Sequence, residues 1–275
     1  MRVSLNHRMS KQKRPSDNWA QGDVYDGYVG RWSRRVAPEF LAWLHVPPAR
    51  RWLDVGCGTG ALCGVILDQC APASVAGVEP SEGFLATANA HLGARASLYP
   101  GSATSIPLEP GSVDAIVSGL VLNFVPEKEA AMQEMKRVAA PGATIAAYVW
   151  DYSDKMEFMR YFWDAAVAVD PAASSRAEAN RFPICKPEAL AQLFRQSGLV
   201  EVETRAIDTP TVFRDFADYW TPFEGGQGPA PVYAMSLDEA TRGRLRDRLE
   251  QSLPVERDGS IHLVARAWAV RSRVA

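Results

Sequence analysis

Leu53-Asp54-Val55-Gly56-Cys57-Gly58-Thr59-Gly60 joins an apolar run to a stretch of helical character, and the fold is read outward from it. Arg51–Val55 has the composition of a buried strand, and a helix is predicted from Ala61 to about Cys70. The three glycines let the backbone turn sharply and let its amides approach a ligand with no Cβ in the way. The N-terminus of the following helix points at the same place, which suits a carboxylate or another electron-rich group. Residues 74–78 form the next apolar strand, which closes on Glu79, nineteen residues after Gly60. A carboxylate at that point is placed to accept both hydroxyl protons of a ribose. A dinucleotide site shares these features but asks for G-x-G-x-x-G, whose third glycine allows close packing over a pyrophosphate. Here the pattern is G-x-G-x-G, with Ala61 where that glycine would stand and Asp54 poorly placed against a pyrophosphate. A turn of purely structural purpose is the remaining alternative.

Further along, the alternation of strand and helix continues. Ser81 can cap a helix running through His91. A short strand follows at 96–99, an apolar strand at 113–118 and a helix at Lys128–Val138. Pro141-Gly142 then turns into a strand over 143–149. The expected fold class is α/β, a Rossmann-like, doubly wound, mostly parallel seven-stranded sheet with an antiparallel terminal strand and a helical cap. Ligands of such sheets sit beyond the carboxyl ends of the strands, so the loops after Val55, Val78, Tyr99, Ser118 and Val149 should surround one site. Beyond Trp150, residues 156–169 are apolar and aromatic at helical spacing, and 187–198 form an amphipathic helix. Residues 199–206 and 261–270 complete the sheet, with a loop at 225–229 between them. The expected organisation is a disordered basic tail (1–16) followed by a single domain (17–275). That domain divides into N-terminal lid helices (17–48), a cofactor-binding core (49–150), a cap and substrate region (151–260) and the terminal strand (261–275).

The balance of charge narrows the partners. Lys and Arg total 30 against 32 Asp and Glu in 275 residues, a net charge of −2. Nothing in that balance marks a nucleic-acid partner, which leaves a basic face or domain. No apolar run reaches the roughly 18 residues of a membrane span. Cys57, Cys63, Cys70 and Cys185 lack C-x-x-C pairing or neighbouring histidines, so the expectation is no metal and free thiols, as in the cytoplasm.

Residues 25–150 resemble the class I S-adenosylmethionine-dependent methyltransferases, especially the group that includes quinone and other small-molecule methyltransferases. The resemblance is carried by Leu53–Gly60, Val78-Glu79-Pro80-Ser81 and Gly101-Ser102-Ala103-Thr104-Ser105-Ile106-Pro107. It continues in Ser112-Val113-Asp114-Ala115-Ile116-Val117-Ser118, Glu134-Met135-Lys136-Arg137-Val138 and Pro141-Gly142-Ala143. It implies S-adenosyl-L-methionine as cofactor and S-adenosyl-L-homocysteine as product. It also implies a cofactor site of Asp54, Gly56, Cys57, Gly58, Gly60, Glu79, Pro80, Ser102, Ala103, Ser118, Gly119 and Leu120. Asp54 and Gly56 would hold the methionine end, Glu79 the ribose, and Ser102 with Ala103 the adenine edge. The family usually has an acidic residue where Ser102 stands, and a serine oxygen accepts the adenine amino hydrogen more weakly. Tyr25-Asp26-Gly27-Tyr28-Val29-Gly30-Arg31-Trp32 resembles the N-terminal lid of the group, with Tyr28 and Arg31 facing the cofactor.

No strong general base is visible. Asp151 and Tyr152, just after the fifth strand, are the best-placed groups to orient or deprotonate a hydroxyl substrate. The alternative for Asp151 is to cap the next helix. Tyr25, Trp150, Phe158 and Phe162 are the candidate walls for an apolar or aromatic small-molecule substrate. The chain is expected to work as a monomer or homodimer. A catalytically inactive cofactor-binding scaffold and an NAD-dependent oxidoreductase are the alternative functions.

Overall fold

The computed structural model describes residues 31–225 and 228–275. Tyr25 and Tyr28, the basic tail and residues 17–30 of the expected lid lie outside them, as does the side chain of Arg31. The strands are β1 (Arg51–Val55), β2 (Ser74–Glu79), β3 (Ser97–Pro100), β4 (Val113–Gly119), β5 (Ala139–Trp150), β6 (Val200–Phe213) and β7 (Ile261–Arg273). Before and between the first five lie α1 (Arg31–Leu44), α2 (Ala61–Gln69), α3 (Glu82–Leu92) and α4 (Lys128–Val138). After β5 come α5 (Glu157–Val169), α6 (Glu178–Arg181), α7 (Pro187–Gln196), α8 (Phe216–Trp220), α9 (Pro229–Ser236) and α10 (Glu239–Ser252).

The sheet order is β3-β2-β1-β4-β5-β7-β6. The first five strands are parallel, and β7 runs antiparallel to both β5 and β6. Two cores follow from the period of two along each strand. Trp52, Ala115, Val117, Ala146 and Tyr148 enter the core under α1, α2, α3 and α5. Leu53, Val55, Ile116, Ile145 and Ala147 enter the opposite core, under α4 and α7. Such two-sided burial is why these strands read as continuous apolar runs. The expected cap at α3 is present, Ser81 Oγ accepting from the Phe84 N–H at 3.4 Å. Among the described residues no helix is long and apolar enough to cross a membrane.

Three boundaries differ from expectation. The expected turn at Pro141-Gly142 is an irregularity inside β5, where the pairing with β4 shifts between Val113 and Ala115. Gly142 takes φ +73° there, a conformation glycine adopts freely, so the strand passes through it. β6 runs to Phe213 rather than Ala206, past Pro210. An edge strand tolerates proline because one side of its backbone has no strand to bond, and β6 is at the edge. Residues 213–253 resolve into α8, α9 and α10, the last two packed against α5.

Phe158 and Phe162, expected in a substrate wall, are instead core. Both are fully buried. Phe158 lies 5.3 Å from Trp32, 5.4 Å from Phe213 and 4.7 Å from Phe223 between ring centroids, and Phe162 stacks on Phe223 at 4.3 Å. The Tyr219 hydroxyl donates to the Phe158 carbonyl at 2.8 Å. Removing a ring from such a cluster leaves a cavity that rigid neighbours cannot close. Phe158→Ala is therefore expected to cost roughly 3–5 kcal/mol of unfolding free energy. Denaturant unfolding measures it, and a loss below about 1 kcal/mol would show that the ring is not core.

Candidate active site

The turn after β1 is built by alternating glycines in the left-handed region, Gly56 at φ +77°, Gly58 at +53° and Gly60 at +85°. Their reasons differ. A Cβ at Gly56 would stand 2.6 Å from Val121, and one at Gly60 would stand 2.8 Å from Leu92, so packing demands both. At Gly58 an added Cβ would meet no heavy atom within 4 Å; it faces open space, which a ligand can approach. The Gly56 and Cys57 N–H groups both donate to the Val78 carbonyl, at 2.8 and 3.1 Å, pinning the turn to the end of β2. Gly60 N-caps α2 without a side-chain hydrogen bond among the described residues.

Glu79 completes this cradle. Its Oε2 accepts from the Gly58 N–H at 3.2 Å and its Oε1 from the Ser81 N–H at 3.0 Å. Each oxygen keeps a further lone pair for a ligand, the arrangement a vicinal diol requires. Burial pushes the Glu79 carboxyl up, and the Ser81 and Gly58 amides pull it partly back. Asp54 is 1% exposed, and burial raises its carboxyl to about 7. Donation from the Cys63 thiol at 3.4 Å opposes that rise, while the nearby charge of Glu79 adds to it. Two acids at one strand edge, held against their own desolvation, fit a ligand that brings positive charge or hydroxyl donors.

A cavity of about 200 Å³ lies along these strand ends. Asp54, Gly56, Cys57, Gly58 and Glu79 line it on the β1–β2 side, and Gly119 and Leu120 in the middle. Trp150 and Tyr152 line it on the β5 side, together with Tyr148, Phe124, Met159 and Glu178. Leu120 holds φ +61°, unusual for a branched side chain, while its N–H donates to the Tyr148 carbonyl at 2.8 Å. A Cβ at Gly119 would stand 2.6 Å from the Tyr148 hydroxyl, so the strand end has room only for glycine.

Several expected residues are not among those that line this cavity. Ser118 donates from its hydroxyl to the Val55 carbonyl at 2.9 Å and ties β1 to β4 where the turn begins. Ser102 and Ala103 lie on the loop after β3, the Ser102 hydroxyl 3.1 Å from that of Thr104. That loop is anchored to α4. Arg137 donates to the Ile106 and Leu108 carbonyls, each at 2.8 Å, and Glu134 accepts from the Ile106 N–H at 3.0 Å. Pro80 continues the bend at the end of β2. Asp151 is outside the cavity wall: its Oδ1 accepts from the Asp154 N–H at 3.2 Å, and its carbonyl from the Met156 N–H at 2.9 Å. It organises the turn leading to α5 but does not cap that helix, whose N-cap position is Met156 and carries no side-chain cap hydrogen bond among the described residues.

The sequence reading missed two charged wall residues. Arg34, with Ser33 and Ala37, brings α1 to the cavity. The signal was its helical neighbourhood, one turn beyond Arg31. Glu178 sits in a polar stretch that reads as solvent-facing, yet the fold buries it, with the indole of Trp163, fifteen residues earlier, donating to its Oε2.

A family profile described as a methyltransferase domain matches residues 53–147, the span from β1 into β5. The demethylmenaquinone methyltransferase of Roseiflexus castenholzii is 30% identical over 173 residues, covering 58% of this chain and 72% of that protein. The malonyl-[acyl-carrier protein] O-methyltransferase of Methylococcus capsulatus is 30% identical over 196 residues, 70% of this chain and 66% of its own length. A solved structure of phosphoethanolamine N-methyltransferase 2 from Haemonchus contortus, in complex with phosphomonomethylethanolamine and S-adenosylhomocysteine, aligns with a TM-score of 0.53. It is 14% identical and covers 87% of this chain and 52% of that one, so that likeness is one of fold.

Proposed function

The chain belongs to the class I S-adenosylmethionine-dependent methyltransferases, and from that premise we propose that it methylates a small-molecule acceptor held at the β5 end of its cavity. One observation supports the acceptor's place above the others. The Gly58–Glu79 cradle and the aromatic wall of Tyr148, Trp150 and Tyr152 line one continuous cavity. S-Adenosylmethionine supplies an activated methyl group on a sulfonium, so little covalent chemistry is left to the protein.

The residues present fit that cofactor. Glu79, with both oxygens already oriented by backbone donors, would receive the ribose hydroxyls. Asp54 would face the cationic methionine end, and the N-terminus of α2 with Arg34 would face its carboxylate. Tyr148, Trp150 and Tyr152 exclude water and offer ring faces to positive charge. Orientation of two reactants in this way can contribute on the order of 7–11 kcal/mol at best. Tyr152 offers a hydroxyl on the wall to orient an acceptor, with alignment and desolvation rather than a strong base driving transfer. The names of the relatives span a demethylmenaquinone and a malonyl-[acyl-carrier protein] acceptor, two unlike acceptors.

The test is calorimetric titration with S-adenosylmethionine, followed by measurement of S-adenosylhomocysteine release with a panel of small hydroxyl, amine and thiol acceptors. Micromolar cofactor binding with release on at least one acceptor is the expected result. Binding with no release across a broad panel would favour a non-catalytic scaffold, and no binding would end the proposal.

A further inference from the structure

Two thiols meet at the edge of the cofactor cradle. Asp54 on β1 and Gly77 on β2 are partners in register, on strands about 4.8 Å apart. Cys57, in the glycine turn, lays its Sγ over Gly77, where an added Cβ would stand 2.8 Å from it. Cys63, in the first turn of α2, donates from its thiol to the Asp54 Oδ2 at 3.4 Å. Both strand positions share the parity of Trp52 and Val75, and so face the core that also holds the two cysteines. The thiols therefore converge, and hydrogen bonding with Cys57 joins burial in pushing the Cys63 thiol well above its ordinary range. Cys57 is 6% exposed and lines the cavity, whereas Cys63 is 0% exposed, so a small oxidant entering the cavity meets Cys57 first. The other two cysteines stand apart. Cys70 caps the far end of α2, about 10 Å along the helix from Cys63 and beyond the roughly 7 Å that a disulfide spans. Cys185 belongs to the core on the opposite face of the sheet.

We propose that Cys57 and Cys63 are an oxidation site, a thiol pair that hydroperoxides convert to a disulfide and that thereby unseats the cofactor cradle. Cys57 gives two electrons to the peroxide, whose O–O bond breaks; the sulfur keeps one oxygen as a sulfenic acid and the other leaves as water or alcohol. The Cys63 sulfur then attacks that of Cys57, the S–O bond breaks, and the hydroxyl leaves as water. Its proton comes from the Cys63 thiol by way of Asp54, the carboxylate already in contact with it. Two thiols and one hydroperoxide thus give a disulfide, water, and water or alcohol. The link removes the thiol proton that Asp54 accepts. It also draws the sulfurs to about 2.05 Å, well inside the contact distance of two thiols, so Cys57 must shift from its seat on Gly77. Cys57 stands between Gly56 and Gly58, so the shift reaches the amide that meets Glu79. The thiol chemistry stands by itself; its effect on cofactor binding rests on the methyl-transfer reading above.

The experiment treats the intact chain, reduced and then freed of reductant, with a small molar excess of hydrogen peroxide. Remaining thiols are alkylated, and peptide mass spectrometry locates any link. The expected product has lost two hydrogens, with the link between Cys57 and Cys63 and with Cys70 and Cys185 alkylated. Calorimetry of the oxidised chain should show S-adenosylhomocysteine bound at least about tenfold more weakly than by the reduced chain, with affinity restored by dithiothreitol. Cys63→Ser keeps a hydroxyl donor for Asp54 but cannot form the link, and its Cys57 should be trapped by dimedone as the sulfenic acid. Cys70→Ser should form the link as the wild type does. No link in the wild type, a link that uses Cys70 or Cys185, or a link that leaves affinity unchanged would overturn the proposal while methyl transfer stands. Failure of the reduced wild type to bind S-adenosylhomocysteine would instead overturn the methyl-transfer reading and the proposed effect on binding, whether or not the link forms.

Discussion

Replacing Asp54 with asparagine is expected to stabilise the cofactor-free protein above pH 7 and to weaken its hold on S-adenosylmethionine. The buried carboxyl titrates at about 7, well above its ordinary range, because ionisation in that position loses hydration. A folded value above the unfolded one means that the fold favours the protonated form. Its contribution to stability is complete below about pH 4 and is lost as pH rises through 7, to a total on the order of 4 kcal/mol. Asparagine carries no charge and does not suffer this loss. Denaturant unfolding at pH 4, 6 and 8 should therefore show a wild-type decline that the variant lacks, with the two similar at pH 4. Cofactor binding should move the other way. The positive methionine end requires ionised Asp54, so wild-type affinity should fall up to about tenfold per pH unit below 7. In the variant this Asp54-dependent part of the slope disappears, and affinity at pH 8 drops roughly 10- to 100-fold with the loss of a charge-assisted contact. A wild-type protein equally stable at pH 4 and 8, or a variant less stable than wild type at pH 8, would contradict this account.

Glu79→Ala should cost still more in binding. The carboxylate accepts from the Gly58 and Ser81 amides at 3.2 and 3.0 Å, and in the proposed reading it would also hold the ribose. Alanine removes two charge-assisted hydrogen bonds to the ligand and frees the turn that presents Gly58. A loss of at least about 100-fold in affinity is expected by calorimetry. Glu79→Gln is the informative companion. Its side-chain amide has one acceptor oxygen and one donor nitrogen, so either the Gly58 or the Ser81 N–H would face another donor. Glutamine should therefore recover little of the loss, although it matches glutamate in size. Retention of wild-type affinity in the alanine variant would place the ribose elsewhere and dismantle the site as described.

How much of this was legible beforehand depends on the range of the forces involved. The glycine turn, the strand ending on Glu79, the Ser81 cap and the helix at Lys128–Val138 all follow from local rules. Backbone dihedrals, capping and the two- and 3.6-residue periods act within a few residues, so they can be read in order along the chain. The resemblance to a methyltransferase rests on those same blocks, and the profile match over 53–147 covers them.

The aromatic run after Trp150 shows where local reading ends. Helical spacing cannot tell which face of α5 meets the cavity, because that depends on what lies against it. Phe213, Tyr219 and Phe223 arrive from more than fifty residues away and take Phe158 and Phe162 into the core, leaving Met159 at the wall. Asp151 was legible as a residue near the site but not as one committed to the Asp154 turn.

Taken by itself, the sequence determined the alternating layers, the glycine turn at the strand ends and the acidic residues that stand beside it, since each of these depends on near neighbours in the chain. Only the tertiary structure decided the 1% exposure that lifts the Asp54 carboxyl to about 7, the arrival of Arg34 at the cavity and the burial of Glu178 beneath Trp163. Desolvation and packing are properties of groups that meet across the fold, and no window of sequence contains them.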